Sequence, residues 1–231
     1  MSQVPLVTWP PARADSPLAI LLSGGLDSAI LLGEALEVYP AVHPIFILTG
    51  AIWESAERDQ VLRFLDAIGS PALRPLVELA FPVADLYGDH WSLTGRGTPD
   101  EHTSDEAVYL AGRNVILLTK ALLWCHLHAV PELAMATLAS NPFPDATDAF
   151  YDGMAEAVNR SVDGCVRILR PYAALNLTKA EVLKRGASMP LQHTFSCIRP
   201  VREMHCWHCN KCAERRRGFA DARQPDPTAY N

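Results

Sequence analysis

One stretch, residues 18–32 (LAILLSGGLDSAILL), limits the folds open to this chain more than any other. Residues 18–22 are an unbroken apolar run, which predicts a strand buried on both faces. The run passes directly into Ser23-Gly24-Gly25-Leu26-Asp27-Ser28, and Ala29-Ile30-Leu31-Leu32 continues as a helix. Glycines let the backbone come close to a bound anion, and a helix start leaves N–H groups free to point at it. Ser23 and Ser28 add hydroxyl donors. A carboxylate such as Asp27 would repel a phosphate unless a divalent cation stood between them. A plain capped turn would need none of this. The hexapeptide therefore predicts a cradle for a nucleotide carrying magnesium.

Beyond this stretch the pattern alternates. Residues 41–48 (AVHPIFIL), 72–79, 132–138 and 166–169 read as further strands, although Pro44 weakens the first half of its run. Helical spacing covers residues 54–68, 115–128 and 149–162, and Thr178 with Glu181 three residues on forms a capping box that opens a helix through Lys184. Strands alternating with helices predict an α/β fold with a doubly wound, mostly parallel five-stranded sheet, and ligands in such sheets bind at the carboxyl ends of the strands. The predicted organisation is an irregular, proline-rich lead-in over residues 1–16, a nucleotide-binding α/β domain over 17–190, a metal-binding segment over 191–220 and a tail over 221–231. Residues 81–106, rich in glycine and polar side chains, are longer than an ordinary connection and predict a loop that acts as an active-site lid. His90, Asp100, Glu101, His102 and Asp105 within it have no metal-type spacing and read as solvated.

The second constraint is Cys197-x8-Cys206-x2-Cys209-x2-Cys212. Four thiolates complete a tetrahedral zinc site, and such a closed site is structural, leaving no position for a reacting water. A bacterial ferredoxin run would place a further cysteine at position 216, which is Arg. An iron–sulfur cluster is the lesser alternative, and His205 and His208 are possible substitute ligands. Cys125 and Cys165 read as small packed hydrophobes. With clustered thiols, no basic-then-apolar leader in the first residues and no run of 18 apolar residues, the sequence predicts a reduced, cytoplasmic protein that does not cross a membrane. A formal net charge of −6 makes a nucleic-acid partner unlikely, since that footprint needs many basic contacts. The local exception is Arg199, Arg202, Lys211, Arg215, Arg216 and Arg217, by default a solvated face and otherwise one for anionic substrates.

Ser-Gly-Gly-x-Asp-Ser, with no Gly-Lys-Ser/Thr behind it, resembles the pyrophosphate loop of the PP-loop ATPases, which cleave ATP between its α and β phosphates. Taken with Gly-Arg-Asn at 112–114, Pro-Asp at 144–145, TKAEV at 178–182 and TFSC…HCWHCNKC at 194–212, the chain resembles the 7-cyano-7-deazaguanine synthases, the QueC/ExsB group. The resemblance implies an adenine-nucleotide α-hydrolase fold, ATP and Mg2+ as well as structural Zn2+, and a probable homodimer. It implies conversion of 7-carboxy-7-deazaguanine, a deazapurine carboxylate, through an acyl adenylate and ammonia to an amide and then a nitrile. On it, Leu22, Ser23, Gly24, Gly25, Leu26, Asp27 and Ser28 would bind ATP, and Arg113, Asn114, Asp145 and Lys179 would serve catalysis and substrate binding. Cys197, Cys206, Cys209 and Cys212 would hold the metal.

Three places depart from the family's usual pattern. Thr49-Gly50-Ala51-Ile52-Trp53-Glu54 stands where Tyr-Gly-Gln-Arg/Lys-His is usual, Ala146-Thr147 where Cys-Arg follows Pro-Asp, and Trp207 where the metal segment commonly has Gly. The alternatives are a divergent PP-loop enzyme acting on a related carboxylate or on a macromolecule, and a non-catalytic zinc-stabilised nucleotide- or RNA-binding module.

Overall fold

The computed structural model describes residues 15–231, so the expected lead-in falls outside the described residues except for its last two. Five strands, β1 (Leu18–Leu21), β2 (Val42–Leu48), β3 (Val77–Ala80), β4 (Glu132–Ala134) and β5 (Arg167–Leu169), form one sheet in the order β3-β2-β1-β4-β5. Every pairing is parallel, as the alternating pattern predicts. β1 is apolar throughout because it is central and covered on both faces, so its alternate residues serve two cores. Leu18 and Ile20 face one layer with α1 (Leu26–Leu36) and α2 (Glu54–Ile68). Ala19 and Leu21 face the other layer.

Between α2 and the second layer lie two single-turn helices, α3 (Ala84–Tyr87) and α4 (Trp91–Thr94). The second layer is built from α5 (Arg113–Leu127) and α6 (Asp148–Val162). After β5 come α7 (Pro171–Ala174), α8 (Lys179–Arg185) and α9 (Asn210–Ala222). α8 and α9 return to the α1 side through Val182, Leu183, Phe219 and Ala222. The strand order reverses beside β1, so the crevice beyond the ends of β1 and β4 is the topological switch point of the sheet.

Several boundaries differ from the sequence expectation for identifiable reasons. Pro44 is accommodated inside β2 because β3 begins pairing only at Ile45, opposite Val77. Val42 sends its N–H to Ala72, and the same side two residues later faces a segment that is not in a strand, so the missing proline N–H breaks no ladder bond. β3 starts at Val77 instead of residue 72, and β4 ends at Ala134 instead of residue 138. The capping box at Thr178 and Glu181 is present as expected. Helix α9 was not legible beside the cysteine spacing that dominates its first turn. Cys165 is exposed, against expectation, because Val166 takes the inward position at the start of β5. Cys125 is buried in the second layer as expected.

The layers on the α1 side are joined by a buried polar knot. The Tyr172 hydroxyl donates to Glu34 Oε2 at 2.8 Å, and Arg185 Nη1 donates to Glu34 Oε1 at 3.2 Å. These contacts bind α7 and α8 to the middle of α1. Removing one member of a buried pair strands the other charge, at a cost of about 3–5 kcal/mol. Glu34→Ala is expected to lower the urea midpoint by that order, while Tyr172→Phe should cost about 1 kcal/mol. Equilibrium unfolding followed by circular dichroism reads both.

Candidate functional site

The turn after β1 is organised by its own hydroxyls. Ser28 Oγ donates to the Gly25 carbonyl at 3.2 Å, Ser23 N donates to Ser28 Oγ at 3.2 Å, and the two hydroxyls lie 3.1 Å apart. Gly24 has φ +77°, and a Cβ there would stand 2.8 Å from Glu57 Cγ, so conformation and space both require glycine. Gly25 is the N-cap of α1 and offers no side-chain cap, so the first-turn N–H groups of Leu26, Asp27 and Ser28 have no intrahelical acceptor. The turn is thus an anion cradle at a helix start.

A cavity of about 390 Å³ opens against this cradle, within the size range of small-molecule sites. The expected residues Ser23, Gly25, Leu26, Asp27, Ser28, Arg113, Asn114, Asp145 and Lys179 all line it. Leu22 and Gly24 do not: Leu22 is buried in the core beneath, and Gly24 lies against Glu57 and Val61 of α2. Lys179, at the first position of α8, donates to Asp27 Oδ2 at 2.7 Å and stands 3.8 Å from Glu214. Burial works to lower the Lys179 pKa, but the charges of Asp27 and Glu214 outweigh it and hold the group above the ordinary lysine range. Asp27 Oδ1 is buried and has no hydrogen-bond partner among the described residues, so one carboxylate oxygen is left ready for a ligand.

Across the cavity, Asp145 is buried beyond β4 and accepts the Asn114 backbone N–H on Oδ2 at 3.0 Å. Asn114 Nδ2 returns a bond to the Asp145 carbonyl at 2.7 Å and another to the Tyr151 hydroxyl at 3.3 Å. Asn114, at the start of α5, therefore fixes Asp145, and Asp145 Oδ1 has no hydrogen bond among the described residues. Glu57, on α2, also lines the cavity and was not singled out from the sequence. Burial pushes its pKa up to about 8, the Arg113 guanidinium works against this, and the Glu54 carboxylate adds to it. The i,i+3 spacing of Glu54 and Glu57 after the second strand is the signal that could have found it.

The four cysteines stand behind the cavity, and their segment contributes Phe195, Ser196, Ile198, Lys211, Glu214 and Arg215 to its wall. Sγ atoms of Cys197, Cys206, Cys209 and Cys212 lie within 4.8 Å of one another and are buried. The Cys197–Cys209 separation is 3.8 Å, about the edge of a tetrahedron with 2.3 Å metal–sulfur bonds. Arg199 N and Cys206 N each donate to Cys197 Sγ at 3.4 Å, as suits a thiolate. The four thiols can hold a metal ion. His205 belongs to a different network: it accepts the Ser196 N–H at 3.1 Å, packs 4.5 Å from the Phe195 ring, and burial pushes its pKa down to about 3.

Comparison with known proteins bears on this arrangement. Residues 18–223 match the family model described as queuosine biosynthesis protein QueC. This chain belongs to the QueC family. A relative from Syntrophobacter fumaroxidans, named 7-cyano-7-deazaguanine synthase, is 31% identical over 91% of this chain and 94% of its own length. Relatives of the same name from Anaeromyxobacter and from Xanthomonas oryzae are also 31% identical, covering 94% and 91% of this chain and 97% and 96% of theirs.

The three departures from the usual QueC pattern now have structural explanations. Glu54 Oε2 accepts the N–H groups of Thr49 and Gly50, closing the turn after β2, and Trp53 is buried and stacked 5.8 Å from Trp91. Thr147 caps α6 by accepting the Phe150 N–H at 3.2 Å. Trp207 adopts φ +70°, the region glycine favours, and is held there by the Arg216 guanidinium 4.0 Å over its ring and by Tyr230 against its edge.

Two expectations about exposed charges need correction. Glu101 is not merely solvated, since it accepts from Arg216 Nη2 at 2.7 Å and lies 3.2 Å from His208. The basic run is a solvated face only in part: Arg199, Arg202 and Arg217 are exposed, while Lys211, Arg215 and Arg216 are engaged. The Arg215 side chain is fully buried, donating to Ser196 Oγ, Thr228 Oγ1 and the Leu191 carbonyl, while Arg216 and Lys211 pair with Glu101 and Glu214. The acids and bases of this region were separated in sequence, which hid their pairing. Residues 81–106 likewise carry α3 and α4 and are fastened to the cysteine segment by the Glu101 N–H on the His208 carbonyl and the Asn210 N–H on the Pro99 carbonyl.

The raised pKa of Glu57 fixes a pH dependence. Between the ordinary carboxyl value of 4.5 and about 8 the folded state keeps a proton that the unfolded chain has lost, so stability falls as pH rises through this window. Glu57→Gln removes the effect. Relative to the unsubstituted protein it should gain about 2–4 kcal/mol between pH 5 and pH 8.5, the full shift being discounted because the cavity admits water. Urea midpoints of both proteins across that range check it.

Proposed function

We propose that this chain is an ATP-dependent carbon–nitrogen ligase that converts 7-carboxy-7-deazaguanine and ammonia to 7-cyano-7-deazaguanine in queuosine biosynthesis. The observation that carries the reading is the meeting, in one cavity, of the helix-start cradle, the Asp27–Lys179 pair and the fixed Asp145. QueC family membership supports the same reaction. The triphosphate lies against the N–H groups from Gly25 to Ser28, and Lys179 and Arg113 balance its charge. The free Asp27 Oδ1 fits a magnesium ion, which when bound neutralises phosphate charge. Asp145 Oδ1 accepts from the deazapurine ring N–H and amino group, and the Tyr109 and Phe143 rings, 5.0 Å apart, offer the base an aromatic wall.

In the first half, a substrate carboxylate oxygen bonds to the α phosphorus of ATP while the bond to the β phosphate breaks, releasing pyrophosphate. Ammonia then forms a bond to the acyl carbon, AMP leaves with the carbon–oxygen bonding pair, and the nitrogen sheds a proton to give the amide. In the second half the amide oxygen is adenylated by another ATP. Loss of both amide protons and of AMP leaves the nitrile. The enzyme's part is to orient the carboxylate for in-line attack, keep water from the adenylate, and stabilise the departing pyrophosphate through backbone and Lys179 donors.

The four cysteines fit a zinc ion held in a closed, structural site. Nitrogen comes from free ammonia, the active form is a homodimer, and the protein works in the cytoplasm. Among the described residues no helix is long and apolar enough to cross a membrane.

Purified protein with ATP, ammonium and 7-carboxy-7-deazaguanine is expected to yield AMP and the nitrile by mass spectrometry. Asp27→Asn should lower kcat/KM at least a hundredfold. AMP formation only in the presence of tRNA, or none at all, would overturn the assignment. Elemental analysis should find one zinc per chain, and Cys212→Ser should lose that zinc and several degrees of Tm, since metal binding contributes folding free energy.

A further inference from the structure

Ser196 lines the main cavity, half-buried, and the proposed reaction gives it no part. Its place follows from the turn after β1. Phe195 N–H donates to the Gly24 carbonyl at 2.7 Å, and a Cβ on Gly25 would stand 3.9 Å from the Phe195 carbonyl. The chain at Phe195 and Ser196 is therefore held against the two glycines whose turn opens α1.

The hydrogen bonds of Ser196 leave one group over. Its backbone N–H is committed to His205 Nε2 at 3.1 Å, and its Oγ accepts from Arg215 Nη1 at 3.2 Å. A guanidinium carries donors only, so that bond takes a lone pair of the hydroxyl and leaves its proton without an acceptor among the described residues. Arg215 is not free to turn away. Its side chain is fully buried, with Nε on Thr228 Oγ1 at 2.5 Å, Nη2 on the Leu191 carbonyl at 3.2 Å and Asp226 at 3.9 Å. A fixed positive charge behind Oγ strengthens the hydroxyl as a donor.

The surrounding charges decide what that donor can meet. Lys179 and Lys211 line the same cavity, and the carboxylates beside them, Asp27 and Glu214, are already paired with them. The Arg215 charge acts on both Asp27 and Lys179, which places it on the phosphate side of the cavity. The acceptor still wanted is one that a ligand brings, and a phosphate oxygen at the glycine turn supplies it.

We propose that Ser196 is a further phosphate-binding residue, whose hydroxyl donates to the pyrophosphate portion of ATP while Arg215 holds its oxygen in place. The inference rests on the proposed ligase reading and deepens it, because it gives the cysteine segment a contact with the nucleotide. The turn after β1 grips the anion with main-chain donors, and Ser196 grips it from a segment that comes more than 160 residues later. Arg215 is a positioning residue. Negative charge gathers on the pyrophosphate as its bond to the α phosphorus breaks, so the contact strengthens toward the transition state.

Binding of magnesium pyrophosphate, ATP and AMP to the full chain, measured by isothermal titration calorimetry, tests the assignment. Ser196→Ala is expected to weaken pyrophosphate and ATP about tenfold and AMP less than about twofold, since AMP lacks the phosphates that the hydroxyl meets. Thr228→Val takes the Nε acceptor from Arg215 and leaves the hydroxyl in place. It should weaken pyrophosphate about threefold, again with AMP unmoved. Equal weakening of pyrophosphate and AMP, or unchanged pyrophosphate binding in Ser196→Ala, overturns the assignment and leaves Ser196 a buttress for Arg215. Unchanged binding in Thr228→Val alone overturns the part given to Arg215. An unsubstituted protein that binds neither ATP nor pyrophosphate overturns the ligase reading, and this inference with it.

Discussion

A single peptide bond's donor holds the site together: Phe195 N–H donates to the Gly24 carbonyl at 2.7 Å. Gly24 needs a left-handed backbone to turn the chain from β1 into α1, and the carbonyl it presents would otherwise be an unpaired buried acceptor. Phe195 is buried, and it comes two residues before Cys197, the first thiol of the cluster. The turn after β1 is therefore joined to the cysteine segment through a main-chain hydrogen bond. Arg215, buried on α9, reinforces the connection from the other side by holding Ser196 Oγ and the Leu191 carbonyl. Four thiols able to hold a metal thus have a direct mechanical connection to the turn.

The same economy governs the charged residues. Asp27, Lys179, Glu214 and Lys211 form an alternating chain along the cavity rim, so each charge is offset by a neighbour before any ligand arrives. Burial pulls the Glu214 pKa up, yet Lys211 and Lys179 hold it below the ordinary carboxyl range, so it stays ionised. Asp27 keeps one oxygen free, which is what a site for a metal–phosphate complex requires. The pairing also explains how Lys179 is tolerated with only about a quarter of its side chain exposed.

Much of this was legible in sequence because it is local. The β1 turn, the Thr178 capping box and the cysteine spacing are each set by residues within a few positions of one another, where geometry follows from residue type. Pairings across long separations were not legible. Glu101 meets Arg216 across 115 positions, and Glu34 meets Tyr172 across 138. Helix α9 was masked because its first turn reads as metal ligands, and strand ends shifted where a neighbour stopped pairing. Arg113 and Asn114 were marked as a unit, but only the fold separates them: Asn114 faces Asp145 and Tyr151, while Arg113 lines the cavity with Glu57.

The order of the strands carries a consequence for how such a chain comes into being. β1 and its turn leave the ribosome well before their amide donor at Phe195 and their counter-ion at Lys179 are made. A nascent chain halted before residue 179 holds the glycine turn with its own serine bonds but lacks the Lys179 counter-ion and the Phe195 donor. The turn therefore gains its last restraints only after at least 152 further residues have been made.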